Sequence, residues 1–312
     1  MDSEYPRTLL EMERRFATED ACREYLTQLR WSSGFVCPAC QGKVGWLDRR
    51  HRWTCQDCGR QSTVTAGTIF EGTRLPLQVW FRAVWLVTSQ KSGASALGLQ
   101  RVLGLGSYET AWSWLHKLRR AMVRPGRDRL QGTIEVDEAF IGGVTPGADG
   151  RDGEGKALVA IAAEEDGRGI GRIRLRRVAD ASAASLHGFI QQAISPGSTV
   201  HTDGWAPYQG IETLGYSHTA TRLKGKGKEA AVKLLPRVHR VAALLKRWLL
   251  GTHQGAVSPH HLDYYLDEFT FRFNRRRSAS RGKLFYRLLQ QAVQVGPVTY
   301  GTIIQRGPPH QQ

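Results

Sequence analysis

The sequence predicts an α/β protein in which a mixed-sheet domain follows a cysteine-rich module and a helical segment. Three observations support this prediction. Two Cys-x-x-Cys pairs lie in the N-terminal part of the chain, and apolar residues with helical spacing fill much of the stretch from residue 77 to residue 122. Beyond residue 131, short β-branched runs alternate with glycine-rich turns, which is typical of strands.

Size and charge limit the functions to consider. The 312 residues suffice for about two domains. With 44 Lys and Arg against 28 Asp and Glu, the formal net charge is +16, and such a surplus favours phosphate polyanions as partners. A membrane surface competes, but no stretch approaches the roughly 18 apolar residues of a membrane span, and the N-terminus does not resemble a signal peptide. We therefore expect a cytoplasmic protein that binds nucleic acid.

Four of the five cysteines predict a metal site. Two residues between paired cysteines let both thiolates face one tetrahedral ion, so the module resembles a zinc ribbon that holds a structural Zn²⁺. Two disulfides are the alternative, and they would suit a secreted protein. The ribbon could contact DNA through a basic hairpin or serve a structural or protein-contacting role. The expected zinc ligands are Cys37, Cys40, Cys55 and Cys58.

The following segment is predicted to be helical. A glycine turn over residues 104–107 separates two apolar-periodic runs, which fits a helix-turn-helix, although a generic helical hairpin explains the periodicity equally well. On the second helix, Trp112, Leu115 and Leu118 are expected to face the core. The positions expected to be exposed to DNA are Ser113, His116, Lys117 and Arg120.

Two aspartates stand out in the strand-rich part. Asp137 lies in Val-Asp-Glu-Ala-Phe-Ile-Gly-Gly and Asp203 in Thr-Asp-Gly-Trp-Ala-Pro-Tyr, each after a β-branched run. A single Asp at a strand end is more often a solvated turn residue than a metal ligand. The predicted order is strand, strand, strand, helix, strand, with an acid ending the first and fourth strands, which is the ribonuclease-H-like pattern. If those strands are neighbours, both carboxylates reach one edge, where two metal ions can be shared.

The ordered set of motifs resembles the zinc-ribbon DDE transposases of prokaryotic insertion sequences, of the ISXO-like type. The late motifs are Leu-Lys-Arg-Trp-Leu-Leu-Gly-Thr-His and Phe-Arg-Phe-Asn-Arg-Arg, and the resemblance covers about residues 15 to 285. It implies a protein that binds the terminal inverted repeats of its element, cleaves the ends and joins the freed 3′-hydroxyls to target DNA. It also implies a catalytic divalent metal, normally Mg²⁺, and a nucleoid-associated homodimer or larger assembly on double-stranded DNA.

The third catalytic ligand departs from the family pattern. The resemblance implies an acid on a late helix, seven residues before a lysine; Lys246 matches that lysine, but His239 stands in the acid's position. Because Mg²⁺ prefers oxygen, a histidine there fits Mn²⁺ more easily or contacts the scissile phosphate. A plain helix-surface histidine is the alternative, and Glu268 is the acidic substitute. Glu138 is expected to point away from Asp137, since side chains alternate along a strand. The expected catalytic residues are Asp137, Asp203, His239 and Lys246.

Two basic stretches are expected to hold DNA. A glycine-rich lysine run predicts a mobile loop that closes on a phosphate backbone, although a solvated charge run is the alternative. A second basic cluster follows the Phe-Arg-Phe motif. The candidate residues are Lys224, Lys226 and Lys228 in the first stretch, and Arg275 and Arg276 in the second.

The prediction from the sequence is thus a DNA transposase that uses two-metal phosphoryl transfer. One alternative is a related nuclease or integrase of the same fold. The other is a catalytically inactive or domesticated DNA-binding protein or repressor, for which His239 is the hint. The predicted segments are residues 1–30 (N-terminal helices), 31–66 (zinc ribbon), 75–124 (helix-turn-helix-like), 131–285 (ribonuclease-H-like catalytic domain) and 286–312 (C-terminal tail).

Overall fold

The computed structural model describes residues 5–124, 126–142, 156–221, 234–255 and 257–304. The backbone divides into two compact units. The first, here called the ribbon unit, comprises Met1–Arg124 and Ser278–Gln305, and the second, the sheet unit, is centred on Pro125–Arg277. Within the described ranges, no helix has both the length and the apolar character needed to cross a membrane.

The ribbon unit begins with two helices, continues with a small antiparallel sheet of order β1-β2-β3, and then becomes helical. Several of its helices begin at hydroxyl caps; for example, the Ser107 hydroxyl accepts a hydrogen bond from the backbone N–H of Thr110. The turn before that cap starts at Gly104, whose φ of 63° favours glycine. The elements are α1 (Leu9–Arg15), α2 (Glu19–Arg30), β1 (Gly45–Leu47), β2 (Trp53–Cys55), β3 (Gln61–Ser62), α3 (Leu77–Ser89), α4 (Ala96–Leu103) and α5 (Tyr108–Ala121).

The sheet unit is built on a mixed sheet of order β6-β5-β4-β7-β8. Strand β4 is antiparallel to β5 and parallel to β7, and β7 is parallel to β8. This arrangement confirms the predicted α/β class and its mixed sheet. The elements are β4 (Thr133–Ile141), β5 (Ala157–Asp166), β6 (Gly169–Val178), α6 (Ala183–Ala193), β7 (Thr199–Thr202), β8 (Ser217–Ala220), α7 (Pro236–His253) and α8 (Leu262–Asn274).

Helices cover both faces of this sheet. Helices α7 and α8 pack on one face, where Ile161 and Ile173 are buried with Val238 and Leu245. Helix α6 packs on the other, where Val136 and other strand residues form a second core. Because β5 is buried on both faces, its residues from Ala157 to Ala163 form a continuous apolar run. In β4, by contrast, acidic residues interrupt the apolar ones.

The C-terminal helices belong to the ribbon unit. Helix α9 (Arg281–Ala292) packs against α3, and its fully buried Phe285 contacts the rings of Phe16, Phe81 and Trp85. Helix α10 (Tyr300–Ile304) lies against α5. The boundary expected after residue 285 therefore falls inside a helix, and residues 286–304 are folded rather than a tail.

Helix α5 corrects part of the helix-turn-helix prediction. Leu115 and Leu118 are buried as expected, but Ser113 is only 8% exposed and His116 is fully buried. The physical reason is that α4 packs on α5 from one side while α9 and α10 pack on it from others, so the helix has little free surface. Lys117 and Arg120 remain partly exposed.

Candidate metal centres

Four cysteine sulfurs converge in the ribbon. Their ligand atoms all lie within 4.8 Å of one another, with Cys37 Sγ 3.7 Å from Cys58 Sγ and Cys40 Sγ 3.6 Å from Cys55 Sγ. In a tetrahedral site with Zn–S bonds of about 2.3 Å, the sulfurs are about 3.8 Å apart, which fits this cluster. A disulfide requires about 2.05 Å, and all these cysteines are free. The cluster therefore fits a structural Zn²⁺ and not two disulfides.

Two knuckle turns bring the sulfurs together. The N–H of Gln41 donates to the carbonyl of Cys37, and the N–H of Gly59 donates to that of Cys55. Gln41 and Gly59 both have positive φ, 65° and 68°, so each turn passes through the left-handed region. Backbone N–H groups of Cys40 and Ala39 lower the pKa of the Cys37 thiol to about 6, whereas the hydrogen bond with Cys58 raises the pKa of the Cys40 thiol. Of these two thiols, Cys37 is therefore the one that loses its proton first.

Asp137 and Asp203 come from neighbouring parallel strands. In the β4–β7 ladder Glu135 is paired with His201, so Asp137 and Asp203 each lie two residues further along in the same direction. The backbone N–H of Trp205 donates to Asp203 Oδ1 at 2.9 Å, and Gly204 between them has a φ of 74°. This turn holds one oxygen of the Asp203 carboxylate and fixes its direction.

Helix α7 brings His239 beside Asp137. His239 Nδ1 lies 3.8 Å from Asp137 Oδ2, and the side chains are 28% and 19% exposed. This separation is too long for a hydrogen bond. Two ligand atoms at about 2.1 Å from one ion lie about 3 to 4.2 Å apart, so the pair fits a shared cation. The structure thus unites two residues that are distant in the sequence and that belong to different elements.

A buried glutamate fixes the start of α7 relative to β4. Glu135, which is fully buried, accepts hydrogen bonds from the backbone N–H groups of Arg237 and Val238 at 2.7 and 3.0 Å. Its other oxygen accepts from Arg237 Nη1 at 2.8 Å. A carboxylate at a helix N-terminus compensates the unpaired N–H groups and the helix dipole. Since Asp137 follows Glu135 by two residues and His239 follows Arg237 by two, the same contact sets the distance between the candidate ligands.

The guanidinium of Arg237 ties α7 to a second place as well. It donates to the carbonyl oxygens of Gly167 and Gly169, in the β5–β6 turn, and to Glu165 Oε1. Sequence reasoning missed Glu135 and Arg237, because their partners are about a hundred residues away along the chain.

Glu138 lies on the opposite face of β4 from Asp137. The Tyr208 hydroxyl donates to Glu138 Oε2 at 2.7 Å. Burial raises the pKa of Tyr208 well above its usual value, and the charges of Glu138, Asp137 and Asp203 raise it further. Tyr208, another residue that the sequence did not single out, therefore lies in the field of all three carboxylates.

A hydrogen-bonded chain supports the Asp203 turn. The buried Thr202 hydroxyl lies 2.9 Å from His218 Nε2 and accepts from the backbone N–H of Gly204 at 3.1 Å. His218 Nδ1 lies 3.3 Å from Glu212 Oε1. Because the Glu212 carboxylate can only accept, His218 carries the hydrogen on Nδ1, and its Nε2 accepts from the Thr202 hydroxyl.

Glu268 and Lys246 occupy different surroundings. Glu268 is fully buried and accepts from Arg272 Nε at 2.8 Å on its own helix. That helix, α8, packs mainly against β6, which β5 separates from β4. Lys246 is exposed on α7, the helix that also carries His239.

The second basic cluster lies along the outer edge of the sheet. The Asn274 amide accepts from the N–H of Ile173 at 2.7 Å and donates to its carbonyl at 3.2 Å, so it takes the place of a neighbouring strand on β6. The guanidinium of Arg276 lies over the Phe273 ring and donates to backbone carbonyls of β6. The Arg275 guanidinium lies 4.1 Å from the centre of the Phe271 ring. The lysines of the first stretch, Lys224, Lys226 and Lys228, lie outside the described residues.

The two centres differ in how closely their ligands approach. Among the described residues, the four cysteines are the only group of three or more metal-ligating side chains whose ligand atoms all lie within 4.8 Å. Asp137, Asp203 and His239 are therefore a looser arrangement, in which Asp137 and His239 are adjacent and Asp203 stands further off.

Comparison with known proteins places both centres in recognised domains. Residues 17–61 match the transposase zinc-ribbon domain, and residues 129–274 match the ISXO2-like transposase domain. The chain is also 26% identical over 277 residues to an uncharacterized protein in transposable element ISH50 of Halobacterium salinarum, covering 82% of this chain and 91% of the relative. The first matched range contains the four cysteines, and the second contains Asp137, Asp203 and His239. The chain therefore contains a transposase zinc-ribbon domain followed by an ISXO2-like transposase domain, and in this combination it resembles the insertion-sequence transposases.

Proposed function

We propose that this transposase binds the terminal inverted repeats of its insertion sequence and carries out metal-dependent end cleavage and strand transfer at Asp137, Asp203 and His239. The observation that carries the proposal is the approach of His239 Nδ1 to 3.8 Å from Asp137 Oδ2. It occurs beside the parallel β4–β7 pair that aims Asp203 in the same direction.

Each residue has a separable role in this proposal. When bound, a pair of Mg²⁺ or Mn²⁺ ions supplies nucleophile activation and leaving-group stabilisation for in-line displacement at phosphorus. Asp137, in the middle of strand β4, provides the fixed carboxylate, and Asp203 provides a second one oriented by the Trp205 N–H. His239 supplies a nitrogen, which suits Mn²⁺ better than Mg²⁺. We assign the third position to His239 rather than Glu268, because the Glu268 carboxylate is buried against Arg272.

The charge of the chain supports DNA as the substrate. The net charge of +16 favours a phosphate polyanion, and Lys246 is exposed on the helix that carries His239. Further proposed contacts are Lys117 and Arg120 on α5, the lysines at 224, 226 and 228, and Arg275 and Arg276. Because two element ends must be held together for joining, we propose that the active form is a dimer or larger assembly.

The test uses the purified full chain, DNA that carries the element's ends, and Mg²⁺ or Mn²⁺. Nicked and joined products are expected from the wild type and are expected to disappear in Asp137→Ala, with DNA binding retained. Glu24→Ala, which removes an exposed carboxylate from α2, is the matched control and should stay active. A titration of Mn²⁺ binding gives an independent readout, and Asp137→Ala should weaken it. Binding to the ends without products in either metal would contradict the proposal and favour a DNA-binding repressor.

A further inference from the structure

A cleft of about 530 Å³ lies within the ribbon unit, between the zinc ribbon, helix α2 and the start of α3. The ribbon contributes its β1–β2 hairpin and the residues after β3. The opposite wall is formed by α2 and by the segment that leads into α3. Its basic lining residues are Arg23, Arg50, His51 and Arg74.

Two of these basic residues lie beside an acidic side chain of the protein itself. Arg23 Nη1 lies 2.9 Å from Asp20 Oδ1, and His51 Nε2 lies 3.2 Å from the same oxygen. Glu19 lines the cleft too, but its carboxylate accepts from the backbone N–H of Leu77 at 2.8 Å and so neutralises the N-terminus of α3. The acids near the cleft are thus occupied by other partners.

Arg50 and Arg74 supply positive charge that no acidic side chain among the described residues pairs with. Both are exposed, and in the part of the chain that the structure describes neither guanidinium has a hydrogen bond or an ion pair. They reach the cleft from opposite walls, Arg50 from the hairpin and Arg74 from the segment before α3. The cleft therefore presents two uncommitted guanidinium groups, which match phosphate oxygens in charge and geometry.

The hairpin that carries Arg50 and the base of the ribbon are held in place. At the hairpin, Asp48 Oδ1 accepts from the backbone N–H groups of Arg50 and Arg52 at 2.8 and 2.9 Å. At the base of the ribbon, Arg30 Nη1 donates to the carbonyl oxygens of Thr63 and Val64 at 3.3 and 2.7 Å, which ties the ribbon to α2. A cleft that is already formed loses little entropy when an extended ligand binds.

We infer that this cleft binds the phosphodiester backbone of DNA, with Arg50 and Arg74 each contacting a phosphate. The inference rests on the proposed function, because it names the surface by which the ribbon unit holds the transposase's DNA. The lining also contains apolar side chains, among them Val64, Leu75 and Leu77, but the two arginines without internal partners favour an anion. An elongated polyanion fits a groove of this volume better than a single ion. The ribbon thereby has a direct DNA-binding role in addition to its structural one.

The salt dependence of DNA binding tests this inference. Each lost phosphate contact should reduce the slope of log K against log salt by about 0.9, so Arg50→Ala and Arg74→Ala should each do so and the double variant should lose about 1.8. The loss should be the same for element ends and for unrelated duplexes, since phosphates carry no sequence information. Arg50→Lys keeps a point charge and should retain the wild-type slope. Zinc content, measured alongside, should be unchanged in all variants.

The control is Arg14→Ala, which removes an equal charge from the exposed side of α1, away from the cleft. It should leave the slope unchanged. An unchanged slope in the double variant would overturn the inference, and so would an equal loss in Arg14→Ala, because general electrostatics would then explain the effect. Either result would leave the proposed function standing if the wild type still cleaves element ends. A wild type that binds no DNA would overturn both.

Discussion

The two candidate metal centres of this transposase are built in opposite ways. In the ribbon, four ligand atoms lie within 4.8 Å of one another, although the module's own core consists of Phe35, Cys37 and Cys55 with flanking tryptophans. In the sheet unit, a large two-sided core carries three candidate ligands on three elements, and they converge less closely. The difference indicates that a metal ion stabilises the fold of the ribbon, whereas in the sheet unit the fold itself positions the residues of the proposed metal site.

Removing a ribbon cysteine should have the largest effect on stability. Binding of a structural Zn²⁺ is worth roughly 10–16 kcal/mol in zinc-finger peptides, far more than so small a core supplies. We expect Cys55→Ser to lose the zinc and unfold the ribbon while the sheet unit stays folded. Zinc content and the fluorescence of the tryptophans stacked in the ribbon would measure this loss.

Cys22→Ser is the matched control for the ribbon. Cys22 is buried on α2, and burial raises the pKa of its thiol to about 12, so it is an apolar core residue and not a ligand. Its replacement should leave one zinc per chain. A folded ribbon in metal-free Cys55→Ser would show that the comparison is wrong.

The Glu135–Arg237 contact should be the most sensitive part of the sheet unit. Glu135→Ala leaves the Arg237 guanidinium without its buried partner and the start of α7 without its cap. Breaking a buried ion pair costs about 3–5 kcal/mol. We expect the free energy of unfolding of the sheet unit to fall by about this amount, and Mn²⁺ binding to weaken because His239 is no longer held beside Asp137.

Glu165→Ala separates the buried contact from the exposed one. Glu165 binds the same Arg237 guanidinium at 2.9 Å, but it is 34% exposed, so its loss should cost less than about 1 kcal/mol. Urea unfolding of both variants measures the difference. Equal losses would mean that the burial of Glu135 adds nothing to the free energy of unfolding.

Replacing His239 should change the metal preference more than the stability. His239→Ala removes a proposed ligand without disturbing the Glu135 contact. We expect Mn²⁺ binding to weaken by at least the roughly 10–100-fold that loss of a residue supporting a metal ligand costs. His239→Glu restores an oxygen ligand and should raise the ratio of Mg²⁺-supported to Mn²⁺-supported cleavage. Metal titrations and product yields in both ions measure these effects. An unchanged Mn²⁺ affinity in His239→Ala would remove His239 from the site.

The sequence predicted those parts of both centres that depend on local spacing. A Cys-x-x-Cys turn sets its own geometry, so the ribbon ligands could be named directly, and the β-branched runs before Asp137 and Asp203 located the strands. Contacts between distant segments were not readable. The sequence predicted that His116 is exposed, but it is buried in α5. It also did not reveal that Arg276 lies along the edge of β6. The segments that pack against these two residues lie elsewhere along the chain, so the local sequence does not reveal them.

The last prediction is a modest effect on stability and concerns the hydrogen bond of Tyr208. Tyr208→Phe removes the donor to the partly exposed Glu138 carboxylate and should reduce the free energy of unfolding by about 1.5 kcal/mol, the lower end for hydrogen bonds to charged groups. Tyr216→Phe is matched, since its hydroxyl donates to the neutral carbonyl of Ile194 in the same core, and should cost about 1 kcal/mol or less. Urea unfolding compares the two. A larger loss in Tyr216→Phe would mean that the carboxylates around Tyr208 do not depend on its hydroxyl. If instead both losses stay this small and Mn²⁺ binding persists, the sheet unit keeps its site through many modest contacts, unlike the ribbon, which depends on one ion.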